Sequence, residues 1–299
     1  MTALQFSIIV PTYNRPSKLG DCLDSLSQMD YPRECFEVIV VDDGGQADVT
    51  AVVAPFQKQM NLTLLCTQTN TGPAAARNYG AAHAVGDYLA FTDDDCRVAP
   101  DWLHRFSDRL TESPMHIIGG RTVNALTCDP YATTSHLLLD YLYDYAGRTG
   151  SRAVSFFVSN NFAVAAALFR EIGGFDESMC LVGGEDREFC DRWLHNGYSL
   201  TYTPEGLVYH AHHLKWRSFW QQHFIYGQGA FQFHRARARR TRKPIRLEPL
   251  AFYLNLFRFP FEQKQPQSAV LLILLLFVSQ AANASGFYYR RIARAWAGG

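Results

Sequence analysis

Residues 88–95 read YLAFTDDD: an apolar run, a threonine and then three consecutive carboxylates. Tyr88–Thr92 has the length and content of a buried strand, and the alanine-rich stretch Gly72–Val85 before it reads as a helix. Further back, Leu62–Cys66 is a strand and Val49–Gln59 a helix. FEVIVV at 36–41 is another apolar strand, closed by Asp42-Asp43-Gly44-Gly45. Lys18–Gln28 places Leu19, Cys22, Leu23 and Leu26 at helical spacing, and Phe6–Val10 is the first strand. Short strands alternating with helices predict βαβ units: an α/β fold with a mostly parallel sheet and helices on both faces. Ligands of such sheets bind beyond the carboxyl ends of the strands. Three of those ends carry polar clusters, at 11–14, 42–44 and 93–95, and parallel strands would bring all three to one rim.

Each cluster has a plain structural reading beside a chemical one. Three adjacent carboxylates repel unless a cation neutralises them, and oxygen ligands suit Mg²⁺ or Mn²⁺. The alternative is a solvated acidic turn. Asp42-Asp43-Gly44 is either a turn or a carboxylate that binds a base or a ribose. Arg77 is a surface helix charge or a partner for phosphate or carboxylate. Glu185-Asp186, after Gly183-Gly184, caps a helix N-terminus or supplies a general base.

Beyond residue 115, Ile117–Val123, Phe156–Val164 and Ser199–Thr203 read as strands. Tyr131–Tyr145, Glu185–His195 and Trp216–Arg239 read as helices. Gly173-Gly174-Phe175 is a turn, and four prolines predict a broken, irregular stretch over Arg240–Gln267. No internal repeat is seen. With 47% hydrophobic and 19% charged residues in 299, the chain is not intrinsically disordered. Formal net charge is zero, yet residues 1–234 carry 16 basic and 26 acidic side chains, and residues 235–299 carry 12 and 2. An acidic body with a basic tail predicts two jobs, catalysis and attachment to an anionic surface. Seven cysteines without a CxxC pair argue against disulfides or a structural zinc, and for a reducing compartment. The amino-terminal stretch lacks the basic, then apolar, pattern of a signal peptide.

VPTYNRP at 10–16, VVDDGG at 40–45, GPAAARNYG at 72–80, FTDDD at 91–95, SNNFAVAAALFREIGGFDES at 159–178 and GGEDREFCDRW at 183–193 follow one another. In this order and spacing they closely resemble the family 2 glycosyltransferases of GT-A fold, over roughly residues 5–215. The resemblance implies inverting transfer of a sugar from a nucleotide-sugar to a hydroxyl acceptor, with Mn²⁺ or Mg²⁺. Pro11 and Tyr13 would line the base pocket, Asp43 would bind the base, and Arg77 would lie near base and diphosphate. Asp95 would be the main metal ligand, with Asp93 and Asp94 near ribose and metal. Asp186 matches the family's base and Glu185 its neighbour. His210 sits where some GT-A enzymes place a metal-contacting histidine, although His212 and His213 lie beside it and a structural role is open. The QxxRW motif of processive synthases is absent, with only Asp191-Arg192-Trp193 in its place, so processive polymer synthesis is disfavoured. A nucleotidyltransferase on a similar fold and a non-catalytic membrane adaptor are the competing classes. The first gives Glu185-Asp186 no purpose, and the second gives none to the intact acidic clusters.

The expected domains are a catalytic GT-A domain over 1–215 and a helical extension over 216–299. RARARRTRKPIR at 235–246 holds seven basic residues and no acidic one. Attraction to anionic lipid is favoured over nucleic acid, because uncharged, apolar 268–289 follows. That segment reads as a single span, an in-plane helix or a core helix. The expected location is the cytosolic face of a membrane. A lipid-linked or membrane-embedded acceptor there fits cell-surface glycan or glycolipid synthesis.

Overall fold

Every residue of Phe6–Thr12 (β1) is buried, as its β-branched and aromatic content requires of a strand covered on both faces. The computed structural model describes residues 5–148, 155–179, 183–242, 244–245 and 248–297. Cys180, Lys243, Arg246 and residues 1–4 of the amino-terminal stretch lie outside them. After β1 come α1 (Pro16–Ser27), β2 (Phe36–Asp42), α2 (Thr50–Gln57), β3 (Leu62–Cys66), α3 (Pro73–His83) and β4 (Tyr88–Phe91). Then follow β5 (Cys96–Val98), α4 (Trp102–Glu112), β6 (His116–Asn124), α5 (Pro130–Arg148), β7 (Phe162–Ala165) and α6 (Ala166–Ile172). The chain continues with α7 (Glu185–His195), β8 (Ser199–His210), α8 (Trp216–Thr241), α9 (Leu250–Glu262) and α10 (Ala269–Ala297).

Contacts divide the chain into two units. The first comprises Met1–Val123, Ser155–Cys180 and Phe189–His210. Its sheet has eight strands in the order β3-β2-β1-β4-β7-β6-β8-β5. β1 pairs in parallel with β2 and β4, and β2 with β3. Beyond β4 the β4–β7, β6–β7 and β5–β8 pairs are antiparallel, so the sheet is mixed. Strand order reverses at β1, since the chain runs out through β2 and β3 and returns through α3 to β4. That reversal opens the crevice between β1 and β4 where α/β sheets bind ligands. Leu19, Leu23 and Leu26 of α1 and Trp102, Phe106 and Leu110 of α4 seal one core with Ile8, Val10, Val38 and Val40. Each such side chain contributes about 1.5–3 kcal/mol on burial.

The second unit comprises Asn124–Val154, Leu181–Glu188 and Ala211–Gly299. Leu137 and Tyr141 of α5, Phe252, Leu256 and Phe259 of α9, and Leu272 and Leu276 of α10 form a core within it. The Tyr141 hydroxyl donates to the Phe252 carbonyl at 2.6 Å, which satisfies the one polar atom this ring buries. Two expectations need correction. Residues 240–267 are not irregular throughout: Pro249 precedes the first turn of α9, a position where proline lacks nothing a helix needs, and Pro260 falls in its last turn. Strand β7 covers only Phe162–Ala165, because Asn160 and Asn161 turn their amides inward to other partners.

Candidate functional site

The parallel register sets Thr12 beside Asp42 at the carboxyl ends of β1 and β2. Thr12 links the three polar clusters: its carbonyl accepts the Asp43 N–H at 3.0 Å, and its hydroxyl donates to Asp94 Oδ2 at 2.7 Å. Asp94 is fully buried, and Arg15 Nη2 lies 2.8 Å from its Oδ1. Burial pushes the Asp94 carboxyl up to about 7, against the opposing pull of Arg15 and the Thr12 hydroxyl. Burial works against the Arg15 charge as well, but Asp94, Asp95 and Asp93 outweigh it and raise its pKa. Asp93 pairs with Arg77 of α3 at 2.6 Å, and that guanidinium also lies over the Phe175 ring.

Asp95 gathers the remaining charges. Its Oδ2 lies 3.0 Å from Arg15 Nη1 and 3.2 Å from Lys18 Nζ, and its Oδ1 lies 3.2 Å from His210 Nε2. His210 arrives there because β5 and β8 pair with Cys96 opposite His210. Asp95, Cys96 and His210 could together hold a metal ion, with ligand atoms within 4.8 Å of one another. Asp95 and His210 offer it a carboxylate oxygen and an imidazole nitrogen, while burial pushes the Cys96 thiol up in the metal-free protein. That pair fits a divalent cation of the Mn²⁺ or Mg²⁺ kind, whereas Asp93, the other expected ligand, is paired with Arg77.

Asp43 is buried, and both of its oxygens serve the loop before α3. Oδ1 accepts from Thr67 Oγ1, Thr71 N and Thr71 Oγ1 at 3.1, 2.9 and 2.6 Å, and Oδ2 accepts from Gly72 N at 2.8 Å. Gly72 has φ +90°, a conformation that favours glycine, and Pro73 then starts α3. Arg77 is thereby aimed from the second turn of α3. One residue on, Asn78 bonds the backbone of Phe175 in both directions at 2.9 Å, and Arg192 donates to the carbonyls of Ile172 and Gly174 at 2.6 Å. The Gly173-Gly174-Phe175 turn is thus clamped from α3 and α7, and Arg192 has a structural role. Pro11 is buried within β1, while Tyr13 is 44% exposed beside the cluster.

Asp93, Asp94, Asp95, Arg77, Asp43, Pro11, Tyr13 and His210 all belong to the first unit. Glu185 and Asp186 belong to the second. There Glu185 accepts the N–H groups of Gly183 and Gly184 at 2.9 and 3.0 Å, as a carboxylate at a helix N-terminus does. Asp186 is half-buried, and its Oδ1 accepts the Arg187 N–H at 2.7 Å. Glu188, one turn into α7, pairs with Arg240 of the basic run at 2.8 Å.

Arg15 and Lys18 are not among the site residues expected from sequence. The signal was present: two cations at the start of a helix oppose its dipole, so they need anions nearby.

A family model described as "Glycosyl transferase family 2" matches residues 7–173, and one described as "N-terminal domain of galactosyltransferase" matches 151–214. The chain is 26% identical over 210 residues to "Glycosyltransferase AglE" of Haloferax volcanii, covering 68% of this chain and 66% of that one. It is 30% identical over 230 residues to "Pre-mycofactocin glycosyltransferase" of Mycobacterium tuberculosis, covering 75% and 46%. The chain therefore spans from about half to two-thirds of the length of these relatives. Among solved structures it resembles the mannosyltransferase PcManGT from Pyrobaculum calidifontis in complex with GDP-Man and Mn²⁺. The TM-score is 0.64 at 21% identity, over 94% of this chain and 74% of that one. At that identity the likeness shows the fold.

Proposed function

Because the chain belongs to glycosyl transferase family 2, we propose that it transfers a sugar from a nucleotide-sugar to a hydroxyl acceptor, with inversion and with the help of Mn²⁺ or Mg²⁺. The observation that carries this reading is the convergence of Asp93, Asp94 and Asp95 with Thr12, Arg15, Lys18, Arg77 and His210 beside the β1–β4 crevice. The Mn²⁺ named with the Pyrobaculum neighbour supports it. Asp95 and His210 would hold the ion, which would offset the charge of the departing nucleoside diphosphate.

The chain's own residues do the rest. Pro11 and Tyr13 border the base, and Asp43 binds it through the acceptor capacity left on Oδ2. Arg77 and Asp93 fix the ribose and diphosphate end of the donor. Asp186 takes the proton of the acceptor hydroxyl as that oxygen bonds to the anomeric carbon, while the bond to the diphosphate breaks on the opposite face. One displacement inverts the centre, and no covalent enzyme intermediate is needed. Glu185 shapes the start of α7 for Asp186. Positioning of both substrates supplies much of the remaining acceleration.

We assign sugar transfer to residues 1–215 and attachment to a membrane to 216–299. Helix Ala269–Ala295 is long and apolar enough to cross a bilayer by length and composition. Among the described residues no disulfide joins the six cysteines, which supports a reducing, cytosolic side. The test is incubation with a panel of nucleotide-sugars and lipid-linked acceptors, with and without Mn²⁺. Metal-dependent release of nucleoside diphosphate with product of inverted configuration is expected. Release of pyrophosphate would instead identify a nucleotidyltransferase, and no turnover with any donor would favour an adaptor.

A further inference from the structure

We propose that α9 and α10 form a docking surface for an anionic lipid bilayer, and that α10 lies in the membrane plane rather than crossing it. The inference rests on the reading that residues 216–299 attach the chain to a membrane, and it specifies how.

The exposed residues Val270, Leu274, Phe277, Ala284, Tyr288 and Arg291 of α10 recur at helical spacing along one face. Leu274 and Phe277 are 60% and 65% exposed. The opposite face is buried, through Leu272, Leu276, Ser279, Ala282 and Gly286. Helix α9 repeats the pattern: Phe252, Leu256 and Phe259 enter the core shared with α10, while Leu250, Leu254 and Phe261 are exposed. A patch of this kind on a water-soluble protein marks a partner surface. At 13 residues, α9 is too short to span a bilayer, which takes about 20. An apolar stripe on such a helix suits the membrane interface.

The buried face of α10 rests on α8, and this argues against a span. Phe219 clusters with Leu275, the Gly227 backbone abuts Asn283, and the Phe231 ring meets Phe287. A Cβ at Gly227 would collide with the Asn283 carbonyl, and one at Gly286 with that of Phe224. The two helices therefore run side by side in the same direction with backbones in contact, and α10 could not enter hydrocarbon without α8. Over that length α8 exposes Arg217 and Gln221 and half-exposes Gln222, side chains that hydrocarbon rejects. An in-plane seat keeps them in water.

Charge identifies the lipid. Past the apolar turns, Arg235, Arg237 and Arg239 follow on α8 and Arg290, Arg291 and Arg294 on α10. Glu248 and Glu262 are the two acidic residues in 235–299. Parallel packing collects the cations at one end, which matches anionic headgroups.

The test uses the full chain with sealed vesicles of phosphatidylcholine, with and without phosphatidylglycerol. The protein should sediment with the anionic vesicles at least tenfold more tightly than with neutral ones. Leu274→Gln/Phe277→Gln, and separately Phe261→Gln, should each weaken binding severalfold with unchanged melting temperature. Unchanged binding in the Phe261 variant overturns the α9 contact and with it the proposal. In sealed membrane vesicles from an expressing cell, protease should reach a carboxyl-terminal tag and the catalytic unit from the same side. Access from opposite sides overturns the in-plane seat and leaves membrane attachment standing. Failure to sediment with any vesicle overturns both. Self-association lost in the Leu274/Phe277 variant without vesicle binding assigns the face to a second copy and overturns the proposal.

Discussion

His210 Nε2 lies 3.2 Å from Asp95 Oδ1 because the β5–β8 ladder sets His210 directly opposite Cys96, the residue after Asp95. If the pair holds Mn²⁺, His210→Ala should raise the Mn²⁺ concentration for half-maximal activity by about 10–100-fold, the scale of losses around metal sites. Asp95→Ala should abolish turnover at any metal concentration. A metal titration of activity beside a melting curve decides the matter. A lower melting temperature with unaltered Mn²⁺ dependence would make His210 a structural residue.

Arg15 bridges Asp94 and Asp95, so it occupies the charge that a cation would otherwise neutralise. Arg15→Ala should destabilise the metal-free protein by about 1–2 kcal/mol. That is less than the loss from a fully buried pair, because the Arg15 side chain is 41% exposed. Saturating Mn²⁺ should raise the melting temperature more in the variant than in the parent, since Arg15 no longer competes for Asp95. Equal shifts in the two proteins would sink the competition.

The sequence carries the parallel half of the sheet in plain form. Phe6–Thr12, Phe36–Asp42, Leu62–Cys66 and Tyr88–Phe91 are apolar runs separated by helical patterns, and the polar ends of the first, second and fourth share a rim. Glu185–His195 is legible to the residue, because its cap, its apolar spacing and Gly197 agree. The antiparallel half is not. Strand β5 has three residues, too few for a period. Yet its register is what separates His210 from His212 and His213. Asn161 is likewise opaque: its side chain accepts from Trp102 Nε1 and donates to the Gly206 carbonyl, a long-range arrangement that no local pattern encodes. The prolines around α9 mislead because a proline before a first turn and one in a last turn interrupt little.

Asp186 separates binding from chemistry. Asp186→Asn keeps the side chain's shape and its acceptor oxygen for the Arg187 N–H, but removes the basicity. Donor affinity measured by calorimetry should stay within a few-fold, while turnover falls by about 10²–10⁴, the usual contribution of a general base. Loss of donor binding, or parental rates in the variant, would remove Asp186 from that role.

His223 of α8 gives the second unit a dependence on pH. Its ring is buried between Phe219 and Tyr226, with Ser135 Oγ 3.2 Å from Nε2, and burial depresses its pKa from 6.5 to about 4. The native state therefore holds a neutral imidazole, whereas the unfolded chain takes up a proton below pH 6.5. Above that pH the two states bind the same number of protons at this site, and nothing is lost. As pH falls from 6.5 towards 4, unfolding is favoured by about 1.4 kcal/mol per unit, reaching about 3 kcal/mol when the native ring titrates. His223→Phe gives up the contact with Ser135, so it starts from lower stability at pH 7.5. It should nevertheless lose about 3 kcal/mol less than the parent between pH 7 and pH 4. Urea unfolding at several pH values measures both slopes, and parallel slopes would mean that the His223 ring titrates alike in the native and unfolded states.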